Sequence, residues 1–216
     1  MKTKSTVKAK AKPSQTRTSL ELLYSISQEL AARLDLRDLL QRILQLTLQA
    51  AQAQSGSILV LNDQGEVTEG ALAFDGKVHD HTADQLSDTY ERGLAGWVSE
   101  HRKAVILPST NDDARWLRRD GEAPEESRSA ISVPLLARDQ AVGVLTLVHP
   151  EPSHFTAEDL ALLTAIAEQA GIAVQNARLF AAEQERRRFA STLQGIARSI
   201  SATLDPAQVF PQVLVQ

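Results

Sequence analysis

Leu20, Leu23, Ile26, Leu30 and Leu34 recur at helical spacing and predict a first helix. Asp35 suits the N-cap of a second helix, with Leu36, Leu39, Leu40, Ile43, Leu46 and Leu48 as its apolar positions. At Ser55-Gly56 the pattern changes period. Ser57–Leu61 and Glu66–Phe74 read as strands around an Asn62-Asp63-Gln64-Gly65 turn, and Asp75-Gly76 ends that hairpin. The middle is less regular. It predicts a short strand at Leu86–Tyr90, a short helix at Gly93–His101 and a strand at Lys103–Leu107 closed by Pro108. One or two helical turns follow at Asn111–Arg119, then a loop at Asp120–Ser127. Arg128–Ala137 and Ala141–Val148 are apolar on both faces, as central strands are, and Arg138-Asp139-Gln140 makes the turn between them.

Thr156 opens the last long element. Its hydroxyl is placed to accept the amide of Asp159, whose carboxylate suits the positive end of a helix. No proline follows until Pro206, so one helix of about 48 residues, roughly 70 Å long, is expected. Leu160, Leu163, Ile166, Ala167, Ala170, Val174 and Ala177 form its apolar stripe. Gly171 and Gly195 are weak points, each costing about 1 kcal/mol relative to alanine.

The helical pattern also repeats. Leu23 to Gln45 reappear without a gap as Leu193 to Val215: Leu23, Ile26, Leu34 and Asp35 return as Leu193, Ile196, Leu204 and Asp205. A shift of 170 positions is far longer than the roughly 20–50 residues of a solenoid unit, so the repeating unit is a domain. The expectation is one complete module followed by the opening helices of a second. Expected boundaries are a disordered basic tail at 1–18, the module at 19–182, a connecting coiled-coil helix at 183–204 and the second, truncated copy from 193 to 216.

Charge and composition narrow the function classes. Six bases and no acid stand in the first eighteen residues, and the remainder carries 17 bases against 27 acids, a net of −10. A body this acidic argues against nucleic acid as a partner. The uncharged run Ala130–Ala137 is far shorter than the roughly 20 residues that span a bilayer, which argues against a membrane role. No apolar segment follows the basic start, so a cytoplasmic setting is expected. Absence of cysteine excludes disulfides, thiolate metal sites, a cysteine nucleophile and covalently attached bilin.

Several segments from about Leu20 to Ala182 resemble, in order, a GAF domain, a small regulatory fold related to PAS domains. They are Gly93-Leu94-Ala95-Gly96-Trp97-Val98, Ala104-Val105-Ile106-Leu107-Pro108, Ser129 to Leu135, Val142 to Leu147, Phe155 to Leu160, and Ala173 to Phe180. The resemblance implies an α+β fold: a twisted antiparallel sheet of five or six strands, N- and C-terminal helices on one face, and a ligand-sized pocket on the other. It also implies a non-catalytic regulatory input module of a signalling protein. In cyclic-nucleotide-binding relatives the pocket uses a Phe-Asp pair, the glycine-bracketed helix start and polar residues before the Pro-containing strand. Those positions correspond to Phe74 and Asp75, Leu94 and Ala95, and Asp120 with Ser127. Trp97 and Trp116 are further candidates as pocket walls, with core packing the alternative for Trp97. That subgroup also carries an Asn-Lys pair where His149-Pro150 stands, so its lysine–aspartate bond cannot form, which argues against a cyclic nucleotide.

Catalytic motifs are missing. Gly70–Val78 spaces its glycines wrongly for a phosphate loop and lacks the following Ser or Thr. His79 and His81 have strand spacing for a shared metal, with Asp80, Asp84 and His101 elsewhere, but no third ligand at a telling distance; polar loop histidines are the alternative. A haem ligand among His149, His154 and the others is not singled out. No metal, no catalytic residue and no enzyme activity are expected of this segment, and the cofactor stays unknown. Phe189, Leu193, Ile196 and Ile200 repeat with spacings of 4, 3 and 4, a heptad seam, and Leu23, Ile26 and Leu30 give the same seam near the start. The expected partner is a second copy of the chain, bound through these helices and relaying an unknown small molecule. A ligand-free dimerising relay, or a haem- or cyclic-nucleotide-binding domain, is the alternative.

Overall fold

The computed structural model describes Gln28, Leu30 and residues 35–74, 77–80, 90–117 and 127–203, with the backbone alone at 78–80 and 199–203. The expected basic tail, most of the first helix, and the second copy beyond residue 203 lie outside the described residues. Gln28 and Leu30 are both helical.

Helix α1 spans Leu36–Ala50, and the Asp35 carboxylate accepts the amides of Arg37 and Asp38 at 3.0 and 3.1 Å. This cap satisfies two donors that a helix start leaves without intrahelical partners. Strands β1 (Ser55–Leu61) and β2 (Val67–Phe74) follow, and the Asn62 side chain ties their turn by accepting the amides of Gln64 and Glu66, both at 2.9 Å. A third strand, β3 (Lys77–Asp80), pairs with β2 from Phe74↔Lys77 onward. The hairpin therefore continues where the sequence reading ended it.

Helix α2 (Leu94–His101), strand β4 (Val105–Leu107) and a 3₁₀ turn at Thr110–Asp112 come next. Two expectations change here. Tyr90 sits in a helical turn rather than a strand, and the described residues of the expected segment Asn111–Arg119 hold the end of that 3₁₀ turn and a hydrogen-bonded turn at Ala114-Arg115. Strands β5 (Ser129–Ala137) and β6 (Gln140–His149) are the longest, joined by a two-residue turn with Arg138 at φ 58°. The six strands among the described residues form one antiparallel sheet in the order β3-β2-β1-β6-β5-β4. Among the described residues, no helix is long and apolar enough to cross a membrane.

Helix α3 runs unbroken through Ala157–Thr203, 47 residues. Thr156 and Asp159 bond reciprocally at its start: the Asp159 amide reaches the Thr156 hydroxyl at 3.2 Å, and the Asp159 carboxylate accepts the Thr156 amide at 2.8 Å. That is a capping box with aspartate in the usual glutamate place. Gly171 is no weak point. A Cβ there would lie 2.3 Å from the Leu136 carbonyl oxygen on β5, so helix and strand backbones touch where this residue has no side chain.

Side-chain alternation divides the apolar residues between two faces of the sheet. Ile58, Val60, Ile131, Val133, Leu135, Leu145 and Leu147 face α1 and α3 and meet Leu39, Ile43, Leu163, Ile166, Ala170 and Val174 in the main core. Leu30 belongs to that core at 1% exposure. It therefore has no free surface to offer a second copy, because the core of its own chain already encloses it. Leu59, Leu61, Leu72, Ala130 and Val144 point to the opposite face and pack with Leu94, Ala95 and Val98 of α2.

Candidate functional site

The face carrying α2 holds the candidate site. Directly paired residues in an antiparallel sheet share a face, so the register defines rows across it. One row contains Ser55, Val148 and Ala130. The next contains Leu72, Ser57, Thr146, Ser132 and Val105. A third contains Leu59, Val144 and Pro134.

A cleft of about 480 Å³ opens over the first row. That volume lies within the roughly 300–1,000 Å³ of small-molecule sites. Its lining comprises Gln54, Ser55, Phe74, Ser127, Arg128, Val148 and Pro150. Phe74 is 39% exposed at the end of β2. Across the cleft, Ser127 and Arg128 are held to the segment after β4. The Ser127 hydroxyl donates to that of Ser109 at 3.0 Å, the Arg128 amide donates to the Thr110 hydroxyl at 3.2 Å, and the Thr110 amide donates to the Arg128 carbonyl at 2.8 Å. The mouth thus pairs an aromatic ring with a cation and hydroxyl groups.

The residues expected to form one pocket fall into two groups. Phe74 and Ser127 line the cleft, whereas Leu94 and Ala95 are 3% and 8% exposed within the α2 core. Trp116 is half-buried against that same core. Trp97 is half-buried too, but its ring is already covered. His101 stacks on it at 4.2 Å between centroids, and the Arg115 guanidinium lies 4.3 Å from its centroid. Both groups lie against the ring. Asp113 holds Arg115 through bonds of 2.8 and 2.6 Å, and those bonds lower the Asp113 pKa. The indole is therefore a structural clasp between α2 and the segment after β4, not a bare wall. Asp75 and Asp120 lie outside the described residues.

Sequence reading missed Gln54, Ser55, Arg128, Val148 and Pro150, which are brought together only by the pairing of β1, β5 and β6. It also missed the hydroxyl row. Ser132 is fully buried, Thr146 is 8% exposed, and their hydroxyl oxygens lie 2.8 Å apart.

One group of metal-type donors occurs among the described residues: His149, Glu151 and His154, whose donor atoms lie within 4.8 Å of one another. Its geometry does not suit an ion. Nδ1 of His149 accepts the Glu151 amide at 3.1 Å, and Nε2 of His154 donates to the Ala51 carbonyl at 3.3 Å. The two rings stack at 3.6 Å with planes 11° apart, so their in-plane lone pairs run side by side instead of converging. Burial, then the neighbouring His154, push the His149 pKa down. His79 lies on β3, with its side chain, like His81, outside the described residues.

The exposed apolar residues of α3 are the other candidate surface. Phe189, Leu193 and Ile196 are 68%, 50% and 52% exposed, and Ile172 and Leu179 are 50% and 59% exposed. Ile172, Leu179 and Leu193 are separated by multiples of seven, so they continue the same stripe back along the body. Leu23 and Ile26, and the side chain of Ile200, lie outside the described residues.

The sequence pattern of the GAF domain matches residues 33–175, about two thirds of the chain. A dual 3',5'-cyclic-AMP and -GMP phosphodiesterase 11A from Takifugu rubripes is 28% identical over 178 residues, covering 77% of this chain. The match spans 19% of that enzyme's length. The GAF domain of a phosphoenolpyruvate-protein phosphotransferase from Coxiella burnetii superposes with TM-score 0.61 at 22% identity, covering 78% of this chain and 99% of that one. Free methionine-R-sulfoxide reductase from Neisseria meningitidis superposes with TM-score 0.57 at 17% identity, covering 78% and 95%.

Proposed function

Because this chain belongs to the GAF domain family, a family of regulatory sensor domains in signalling proteins, we propose that it is a non-catalytic input module. It binds a small molecule on the outer face of the sheet and relays occupancy along α3 to a second copy of itself. The observation carrying this reading is the split character of α3. Up to Ala177 its apolar stripe is buried in the core, yet from Phe180 to Arg198 every residue is exposed while Phe189, Leu193 and Ile196 keep heptad spacing. An isolated helix gains nothing from such a seam, whereas a parallel or antiparallel pair buries it. Coupling between a ligand and a helix pair is typically worth about 1–3 kcal/mol, enough to bias a downstream domain.

The 170-residue repeat supports a tandem arrangement of GAF domains. Zero cysteines argue against the thiol chemistry of a sulfoxide reductase. A cytoplasmic setting fits this role. One observation favours the ligand-free relay instead: Leu94, Ala95 and Val98 of α2 already cover part of this face, and His101 and Arg115 cover the Trp97 ring.

One measurement separates the readings, and a second tests the seam that they share. A sensor gains thermal stability from at least one member of a metabolite library, whereas a pure relay responds to none. Either dimerises in sedimentation, and Ile196→Pro dissociates the dimer with the body still folded; unchanged assembly of that variant refutes the helix seam.

A further inference from the structure

His149 and His154 stack at the connection between β6 and α3, and their hydrogen bonds fix how each ring can carry a proton. The Glu151 amide donates to Nδ1 of His149 at 3.1 Å. A backbone N–H only donates, so this Nδ1 offers its lone pair and the neutral ring keeps its hydrogen on Nε2. A further proton has one place to go, Nδ1, where it meets the N–H of Glu151. Charging His149 therefore breaks that bond. His154 differs: its Nε2 donates to the Ala51 carbonyl at 3.3 Å, a bond that the neutral and the charged ring make alike.

Pro150 and Pro152 have no amide hydrogen, so between His149 and Ser153 the Glu151 N–H is the one backbone donor. The Glu151 carbonyl accepts the Ser129 hydroxyl at 2.7 Å, and the Ser153 amide donates to the Pro108 carbonyl at 2.8 Å. Pro150 lines the cleft. Phe155, edge-on to His154 at 5.1 Å, is buried in the main core next to the Thr156 cap of α3. We propose that His149 is an acid-sensitive latch: its neutral ring holds the β6–α3 connection closed at the rim of the cleft, and a proton on Nδ1 releases Glu151 and frees the rim at Pro150. Burial, then His154, oppose that proton, and Glu151 favours it. The balance falls below the ordinary 6.5, so the latch is closed above pH 6.5 and opens as pH drops from there toward the folded pKa. The surrounding elements bring few charges. On β5 its paired residue is Ser129, preceded by Arg128 at the cleft, and the last turn of α1, Thr47-Leu48-Gln49-Ala50, carries none. The first turn of α3 carries Glu158 and Asp159, the latter bonded to Thr156.

The latch needs no ligand in the cleft, so it stands or falls apart from the sensor reading. Nitrogen-15 NMR of the full chain, labelled at histidine and glutamate, follows both ends of the bond. At pH 7.5 Nδ1 of His149 should resonate as an unprotonated nitrogen, and the Glu151 amide should exchange slowly. Titration to pH 4.5 should protonate Nδ1. At the same midpoint Glu151 amide exchange should quicken about tenfold beyond the intrinsic pH effect, the loss expected for one hydrogen bond. His149→Asn, whose side-chain oxygen takes the place of Nδ1 without titrating, should keep that amide protected throughout. Two charge variants should move the midpoint of the Nδ1 titration in opposite directions, Glu151→Gln downward and His154→Gln upward. Glu151 exchange that ignores the His149 titration, or that quickens equally in His149→Asn, overturns the latch. So does an Nδ1 already protonated at pH 7.5. Should His149→Asn not fold, the wild-type titration and the charge variants decide alone, and a midpoint that neither variant moves counts against it.

Discussion

Replacing Gly171 by alanine tests whether α3 is set on the sheet by backbone contact. The added Cβ would stand 2.3, 2.6 and 2.8 Å from the oxygen, carbon and nitrogen of Leu136. All three are main-chain atoms of β5, so no rotamer change relieves the clash. Carbon contacts settle near 3.5 Å, so the helix must lift by about 1 Å at this point. Overpacking of this kind costs about 1–3 kcal/mol, and lifting also loosens the packing of Ala167, Ala170 and Val174 on the sheet. Against it stands the better helix propensity of alanine, about 1 kcal/mol. The net expectation is a loss of up to about 2 kcal/mol, or a melting temperature lower by up to about 8 °C for a domain of this size. Gly195 is the internal control, because a Cβ there meets nothing within 4 Å. Gly195→Ala should raise helicity in circular dichroism and leave the body's melting temperature unchanged. If Gly171→Ala melts above the wild type, the close approach of α3 to β5 is wrong.

Stability should also fall with acid in a way traceable to His149. Its folded pKa is depressed below the ordinary 6.5, mainly by burial and then by His154, despite the nearby Glu151. The unfolded chain therefore takes up a proton first. The contribution of neutral His149 is complete above pH 6.5 and is lost as pH falls from there toward the folded pKa. Urea midpoints at pH 7.5 and 5.5 should differ less for His149→Gln than for the wild type; an identical pH dependence refutes the assignment. Thr156→Ala removes the hydroxyl half of the α3 cap and should cost about 1 kcal/mol by urea denaturation, whereas a cost near zero would show that Asp159 caps the helix unaided.

Elements with strong local chemistry were legible in the sequence: the Asp35 cap, the Asn62 turn, the apolar strands β5 and β6, and the Thr156 start of an uninterrupted helix. β3 was missed although its signal was present. Two residues, Asp75-Gly76, separate the paired Phe74 and Lys77, the most common hairpin spacing with a favoured dipeptide. Only Val78 among Lys77–Asp80 is apolar, as suits an edge strand, so periodicity did not reveal it. The site was half legible. Phe74 and Ser127 carried a family pattern, but the hydroxyl row exists only through register: Ser57, Ser132 and Thr146 are ordinary strand residues until pairing lines them up. For Trp97 the sequence offered both a ligand wall and core packing. A half-buried indole suits a ligand wall, and nothing in the local sequence says that Arg115, eighteen positions on, covers it.

The same strand links the two halves of the proposed mechanism. Ser132 faces the cleft side of β5, and four residues later the Leu136 main chain touches Gly171 of α3 on the other side. Side chains usually cushion a helix on a sheet, and rotamer changes absorb small displacements of either. Here a glycine against a carbonyl leaves no such cushion, so a shift of β5 by a few tenths of an ångström must move the helix. A second tie acts near the point where α3 becomes exposed, where the Arg178 guanidinium donates to the Leu61 carbonyl at 2.7 Å. β1, which ends at Leu61, also carries Ser57 of the hydroxyl row. Two strands that floor the site thus grip the helix at two places seven residues apart, about two turns, immediately before the exposed seam begins. A displacement shared by both strands would translate α3, whereas one confined to β5 would tilt it about Arg178. Spin labels on the exposed seam would distinguish the two: translation shifts all inter-copy distances alike, and tilting changes them progressively toward Ile196.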